Sequence, residues 1–357
     1  MNMYENMTYA ALLADAKTYI GDGVQKGEGS LVFNALSVLA YELEKLYMQA
    51  NYILNQTYAD TADFEHLQKI ASNRAIYRKE ATAAKVKIAA NTTVPVGARF
   101  SLKSYNYSVT EELDAVNHYY AAVCEEPGSG PNELTGTLIP ITYVDGLTSA
   151  SITEILVAGS DAETQEDLYE RYLASFSTES FAGNVAAYKA EVNAIDGVGG
   201  CKVKPVWNGA GTVKVVVIGS NGRAISQYLV DEIQEAAVPT QGTGYGFAPI
   251  DHTVTIESVA EVTVNIATSI TYVSGYSWAT IGDQIIAKIE GYLKSIADAW
   301  SSGTADMNSM VYVSRLEAAV LEVTGVQDIT NTRLNGSTSN LTLLWNQIPV
   351  KGTVTAS

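Results

Sequence analysis

The chain has 357 residues, 47% hydrophobic and 17% charged, a composition typical of a folded protein with room for two or three domains. Asp and Glu outnumber Lys and Arg by 39 to 22, and the net charge of −17 disfavours binding to nucleic-acid phosphates or to an anionic membrane surface. The two distant cysteines, Cys124 and Cys201, argue against a disulfide framework, and the start MNMYENMTYA lacks the basic and apolar segments of a secretory signal.

The first eighty residues show helical periodicity. The clearest helix is predicted from Ser30 to about Gln56, where apolar residues alternate four and three positions apart in a heptad seam. The seam residues are Val32, Leu36, Leu39, Leu43, Leu46, Ala50 and Ile53. Periodicity alone leaves two interpretations open, an interface in a helical bundle and an ordinary buried helix face. A shorter helix is predicted to open at Asp60 and Thr61.

Short extended runs such as KVKIAA, RFSLKS and HYYAAVC follow, and they predict a small β-rich domain. In GSDAETQEDLYERY, the pairs Ser160/Glu163 and Thr164/Asp167 have capping-box spacing, which predicts a helix start. The loop PTQGTGYGFAP marks a further boundary. We therefore predict an α+β chain with N-terminal helices (1–80), a β-rich domain (81–150) and two mixed α/β domains (151–247 and 248–357).

A helix–strand–turn–strand unit is predicted twice, once in each mixed domain. In each copy, apolar residues three and four apart lead to a glycine, Gly197 or Gly325, which we expect to stop the helix in the left-handed conformation. A Val-led strand follows, and then an Asn-Gly pair, the strongest short signal for a β-hairpin. The predicted turns are Asn208-Gly209 in the first copy and Asn335-Gly336 in the second.

The glycines at 197, 199 and 200 raise the question of a phosphate-binding loop. A dinucleotide fingerprint places its glycines after a strand and before a helix, whereas these follow a helical pattern and precede a strand. No G-x-x-x-x-G-K-[ST] run occurs in the sequence. We therefore expect these glycines to turn the chain, and we expect no nucleotide or other cofactor.

No pattern of catalytic or metal-binding residues stands out. Three histidines lack partners at ligand spacing, namely His66, His118 and His252. The richest acidic cluster is Asp161, Glu163, Glu166 and Asp167. It could bind a cation or supply the paired carboxylates of a glycosidase, but helix capping explains the same residues. We expect no catalytic site and no metal, and the 22 tyrosines favour an interaction protein.

Six motifs occur along the chain in a recognisable order. They are Gly29-Ser30 at the long helix, ASNRAIYRKEATAAKVKI with Arg78 and Ala81-Thr82, the Pro-x-Gly turn of VPVGARF, the Gly-x-x-x-Asn loop of GSGPNELTG, the G-x-D-x-E-T helix start of AGSDAETQEDLYERY, and IDGVGGCKVKPVWNGAGTVKVVV. Over about residues 25–270 they resemble the baseplate J-like family of contractile-tail phages, phage-tail-like bacteriocins and related injection machines. Two positions depart from the family, since Tyr169 replaces a frequent arginine and neither lysine nor arginine follows Gly97.

The resemblance implies a structural subunit of the baseplate wedge, without enzyme activity. A second copy of the chain and another wedge subunit would join it through an N-terminal helical bundle, which favours the interface interpretation of the seam. Neighbouring wedges, sheath-initiator and hub proteins would complete a ring that couples triggering to sheath contraction. The protein would be made in the bacterial cytoplasm and reside in the tail baseplate of a phage or phage-tail-like particle.

Two alternatives remain open at this point. A tail-associated cell-wall hydrolase would need paired carboxylates or a metal triad in one cleft. A receptor- or carbohydrate-binding module would be expected to be all-β, with a fibrous or repetitive region. Neither pattern is visible in the sequence.

Overall fold

A computed structural model describes residues 3–177 and 183–356. The chain forms two compact units, one from Met1–Lys79 with Glu163–Thr178 and one from Glu80–Ala162 with Glu179–Ser357. The first unit contains helices α1 (Tyr9–Thr18), α2 (Leu31–Asn55), α3 (Phe64–Ser72) and α4 (Gln165–Ser177). The second contains helices α5 (Val185–Val192), α6 (Gln227–Ala237), α7 (Trp278–Asp298) and α8 (Val313–Leu321) beside several sheets. The predicted α+β class is confirmed.

Capping side chains set the helix starts of the first unit. The Ser30 hydroxyl accepts a hydrogen bond from the backbone N–H of Phe33 at 3.1 Å, which starts α2 where the sequence predicts it. Helix α3 starts later than predicted, because the carboxylate of Asp63 caps it by accepting from the N–H of His66 at 3.0 Å. Helices α3 and α4 share a small core that includes the fully buried Leu67 and Leu168.

A seven-stranded antiparallel sheet opens the second unit. Its strands are β1 (Lys85–Ala90), β2 (Arg99–Leu102), β3 (Tyr105–Asp114), β4 (Tyr119–Cys124), β5 (Gly136–Thr137), β6 (Ile139–Pro140) and β7 (Ala150–Val157), in the order β5-β7-β1-β4-β3-β2-β6. Alternation positions the core, since Val86 and Ile88 of β1 are buried while the lysines between and before them are half-exposed. Phe100, Tyr107 and Tyr120 complete this core.

A three-stranded mixed sheet follows. It contains β8 (Val198–Pro205), β9 (Thr212–Gly219) and β10 (Thr253–Ser258), in the order β10-β9-β8. Strands β8 and β9 are antiparallel, whereas β9 and β10 are parallel and are joined by α6, because parallel strands need a crossover connection. Leu229 and Ile233 of α6 and Val192 of α5 pack into the same core as Val215 of β9.

The C-terminal region is built on a second three-stranded sheet. The strands of this region are β11 (Ala260–Tyr272), β12 (Ser309–Val311), β13 (Val326–Leu334), β14 (Leu341–Leu343) and β15 (Gln347–Ala356). Strand β11 pairs antiparallel with β13 and parallel with β15, and β12 pairs with β14 in a separate two-stranded sheet. Ile285 and Ile289 of α7 and Leu316 and Val320 of α8 belong to its core.

The two glycines expected to stop helices lie in turns beyond the helix ends. Helix α5 ends at Val192 and α8 at Leu321, several residues before Gly197 and Gly325. Each glycine is the third residue of a β-turn, closed by a hydrogen bond from Val198 N–H to Ile195 O in one case and from Val326 N–H to Val323 O in the other. Their φ angles of 83° and 102° are those that this turn position requires and that favour glycine.

The strands after these turns do not form the same unit. Asn335 and Gly336 make a two-residue turn with φ angles of 49° and 83°, but β13 pairs with β11 and β14 pairs with β12. In the first copy β8 and β9 do pair, across a six-residue connection from 206 to 211 that contains Asn208 and Gly209. The second turn therefore closes a single antiparallel bridge between Leu334 and Ser337, without a ladder between β13 and β14, and the predicted duplication is not confirmed.

Candidate assembly interface

Helix α2 is the longest helix of the described chain and is poorly covered. In its 25 residues, Ala40 is the single buried one. Helix α1 packs against one side of it, where the backbone N–H of Tyr9 donates to Glu44 Oε1 at 2.8 Å and that of Tyr4 donates to Asn51 Oδ1 at 3.0 Å. Helix α1 therefore covers one side of α2, and a second apolar side of α2 stays exposed.

The uncovered side carries a continuous row of exposed residues. We name this row the outer stripe, and it consists of Leu31, Ala35, Leu39, Glu42, Leu46, Gln49 and Ile53. Leu39, Leu46 and Ile53 are 55, 58 and 66% exposed. Val38, Tyr41 and Met48, beside this row on α2, are also exposed. Contiguous exposed apolar residues are typical of a protein–protein contact.

The predicted heptad seam divides between two sides of α2. Leu39, Leu46 and Ile53 lie in the outer stripe. The other four, Val32, Leu36, Leu43 and Ala50, are half-buried within the first unit. The use of the seam as a bundle interface stays a prediction. Only its exposed residues, Leu39, Leu46 and Ile53, are free to contact a partner helix.

A shallow cavity of about 250 Å³ lies beside the C-terminal end of the outer stripe. Its lining is Tyr52, Ile53, Gln56, Thr57 and His66. Asp63 joins two of these side chains, since it accepts from Tyr52 Oη at 3.0 Å and lies 2.8 Å from His66 Nδ1. Hydrogen bonds from the backbone and ring of His66 lower the pKa of Asp63 to about 2. Capping of α3 accounts for this carboxylate.

The acidic motif residues hold loops together. Asp161 accepts from the backbone N–H of Ser129 at 2.9 Å and from its hydroxyl at 2.7 Å. The amide of Asn132 donates to Gly159 O and accepts from Gly159 N–H, both at 2.8 Å. A side chain at Gly159 would meet the carbonyl of Gly128, so these glycines permit close backbone approach. The Gly-x-x-x-Asn and G-x-D motifs thus hydrogen-bond to each other and hold their two loops together.

Glu163 is an internal ion-pair partner of the first unit. Its side chain is 7% exposed and its two oxygens lie 2.7 and 2.8 Å from Nε and Nη2 of Arg171. Burial by itself would raise the pKa of Glu163, but the hydrogen bonds from Arg171 and from the backbone of Lys79 outweigh it and keep the pKa below its usual value. The predicted capping box at Ser160/Glu163 is therefore absent, whereas Thr164 and Asp167 do cap α4 reciprocally.

We expect Glu163→Gln to lower the local stability of the first unit by about 1.5–3 kcal/mol, the range for a hydrogen bond to a charged group. Because the folded pKa is depressed, the contribution of Glu163 is complete above the unfolded value near 4.3 and is lost as the pH falls through the folded pKa. Hydrogen exchange of the α3 and α4 amides at pH 7 measures the loss, and the exposed Glu166→Gln is the matched control. Equal protection in both variants would contradict the assignment.

Lys202 follows the glycine-rich stretch and lies in β8. Lys202 is 1% exposed, and its Nζ lies 3.2 Å from the carbonyl of Trp345 and 3.4 Å from that of Met307. Burial lowers its pKa. A lysine side chain enclosed in this way cannot contact a phosphate. It joins β8 to the C-terminal region, a role that no local sequence pattern predicts.

Among the described residues we looked for two further features, a metal-binding group and a membrane-spanning helix. Among residues 3–177 and 183–356, no three His, Cys, Asp or Glu side chains are grouped so that they could hold a metal ion. Within the same ranges, no helix combines the length and the apolar character needed to cross a bilayer. The exposed outer stripe of α2 is the candidate functional site.

Comparison with known proteins identifies the family. Residues 180–258 match the Baseplate J-like central domain, and residues 264–357 match the Baseplate J-like protein C-terminal domain. Two relatives come from Bacillus subtilis (strain 168). The chain is 31% identical over 356 residues to one, the phage-like element PBSX protein XkdT, and 30% identical over 358 residues to the other, the uncharacterized protein YqbT. Each alignment covers 99% of this chain and 98% of the relative.

A solved structure is similar at a lower level. It is a chain of the anti-feeding prophage (AFP) baseplate, determined by cryo-EM and 6-fold symmetrised, with 10% identity and a TM-score of 0.43 over 95% of this chain and 89% of that one. The sequence relatives and the two matched domains identify the family. The chain belongs to the baseplate J-like family and is a structural protein of a phage or prophage tail baseplate.

Proposed function

We propose that the chain is a subunit of the baseplate wedge of a contractile tail or injection particle, and that the outer stripe of α2 is its contact in a helical bundle. The observation that carries this proposal is the exposure of Leu39, Leu46 and Ile53 at seven-residue intervals on one side of a long helix. Residues repeated in this way return to the same face of a helix and suit a partner helix.

Burial of these side chains would contribute usefully to association. Each is more than half exposed in the free chain, and complete burial of a large apolar side chain is worth about 1.5–3 kcal/mol, so the three together would supply about 3–5 kcal/mol. Association also costs translational and rotational freedom, so the stripe is one contact among several. The proposed partners are a second copy of the chain and another wedge subunit, with neighbouring wedges, sheath-initiator and hub proteins completing a ring that couples triggering to contraction.

The same proposal holds that the chain is not an enzyme. The acids that a hydrolase would need are engaged in structure, Asp161 with Ser129 and Glu163 with Arg171. The alternative of a receptor- or carbohydrate-binding module finds less support, since the described part of the chain mixes helices and sheets and lacks a fibrous repeat. Peptidoglycan zymography of the purified chain should show no clearing, and clearing that is lost in Glu163→Gln would favour the hydrolase.

Thiol labelling tests the proposed contact. The native Cys124 and Cys201 are buried, so Leu39→Cys introduces the one accessible thiol among the described residues. We expect a maleimide to label Leu39→Cys quickly in the free folded chain and slowly in assembled particles, because the stripe is then covered. The unsubstituted chain, treated in both states, is the control for the buried cysteines. Equal labelling of Leu39→Cys in both states would contradict a contact through the stripe.

A further inference from the structure

The outer stripe is not apolar throughout, and its polar members have regular places. Ala35, Leu39, Glu42, Leu46, Gln49 and Ile53 follow one another at alternating steps of four and three. This is again a heptad spacing, displaced from the sequence-predicted seam toward solvent. A partner helix lying along the stripe would therefore meet apolar layers at Leu39 and Leu46 with a carboxylate between them.

Glu42 lies near the middle of α2, which runs from Leu31 to Asn55. In the described structure its carboxylate contacts Lys45 Nζ at 2.9 Å, with the two side chains 60 and 48% exposed. Lys45 also lies over the ring of Tyr41 at 4.4 Å, beside the stripe rather than in it. An exposed pair at this spacing contributes little in the free chain, and Lys45 lies outside the stripe that a partner helix would cover.

We infer that the partner for the outer stripe is an α-helix that carries a lysine or arginine opposite Glu42, between apolar residues opposite Leu39 and Leu46. This inference rests on the proposed function and specifies the chemistry of the partner. A carboxylate enclosed by an interface is costly unless a cation or donors meet it. Gln49 sets a weaker condition, because an amide both donates and accepts.

The same carboxylate disfavours pairing between two copies alone. Because Glu42 is close to the midpoint of α2, it would face its counterpart in a parallel pair and also in a centred antiparallel pair. Like charges enclosed at such a layer disfavour association and help to fix which helices combine. In a bundle that contains two copies, a cation from the third helix would lie between both carboxylates.

The Glu42→Lys variant of the full chain is a suitable probe. Its helix α2 presents the same apolar stripe residues, with a cation in place of the carboxylate at the central layer. We expect the unsubstituted chain and Glu42→Lys to be monomeric when each is alone, and to form a one-to-one complex when mixed. Sedimentation should show the mixed pair at least about tenfold tighter than either self-pair, and weaker at about 1 M salt, where the screening length falls to about 3 Å.

Glu235→Lys supplies the matched control, since it makes the same charge change at an exposed position on α6. Its mixture with the unsubstituted chain should remain monomeric. Self-association of the unsubstituted chain as tight as the mixed pair, or a Glu42→Lys mixture no tighter than the Glu235→Lys mixture, would overturn the inference. If the mixture fails while Leu39→Cys is protected in particles, the charge inference alone is wrong. Loss of both results would remove the proposed contact as well.

Discussion

Replacing Leu39 and Leu46 together by aspartate should leave the chain folded and prevent its entry into baseplates. Both side chains are more than half exposed in the free chain, so the fold loses little when they become charged. In a helical contact the two carboxylates would be removed from water without partners, and each such group costs several kcal/mol. Two of them exceed the about 3–5 kcal/mol that we assign to the apolar stripe.

Complementation of a strain that lacks the gene measures this effect. Particles should be absent or sheathless in electron micrographs, while circular dichroism of the purified variant matches that of the unsubstituted chain. The control is Leu321→Asp with Leu344→Asp, two leucines of similar exposure outside α2. Normal particles from the Leu39/Leu46 variant would show that the contact lies elsewhere. An unfolded variant would show that these leucines support the first unit itself.

Gly197→Val should be the most destabilising single substitution that we describe. At a φ of 83°, a β-branched residue is strained by about 1–3 kcal/mol. A Cβ at this position would also lie 2.5 Å from Val157 Cγ1, so the core must move, and overpacking costs a further ~1–3 kcal/mol. We therefore expect the free energy of unfolding to fall by about 2–6 kcal/mol.

Gly336→Val is its matched control. Gly336 has the same φ of 83°, but a Cβ there meets nothing within 4 Å. Urea unfolding of both variants separates strain from crowding, with Gly336→Val expected to lose only the strain of about 1–3 kcal/mol. Equal losses in the two variants would mean that Val157 adapts without cost, and no loss in either would contradict the left-handed turns.

Local signals predicted the elements well. Ser30 caps α2 at the predicted start, and the runs KVKIAA and RFSLKS become β1 and β2. These elements depend on hydrogen bonds and on apolar alternation within a few residues, so they can be predicted from the local sequence. The exposed half of the seam was not predictable in the same way. Periodicity identified the apolar residues of α2, whereas the position of α1 decides which of them stay exposed.

Long-range pairing explains what the sequence analysis missed. An Asn-Gly turn forms at Asn335-Gly336, but the partner of β13 is β11, whose residues lie far earlier in the chain. Turn chemistry cannot specify that choice, so the turn forms but the strands on its two sides pair with other strands. Glu163 illustrates the same limit, because its spacing from Ser160 suggested a cap, whereas it forms an ion pair with Arg171, the seventh residue of α4.

A cryo-EM reconstruction of the assembled particle tests the central claim most directly. The account predicts that density for the outer stripe of α2 packs against a helix of another subunit within the baseplate wedge, with Leu39 and Leu46 enclosed. An outer stripe that faces solvent in the assembled baseplate would contradict the account, whatever other contacts the chain makes.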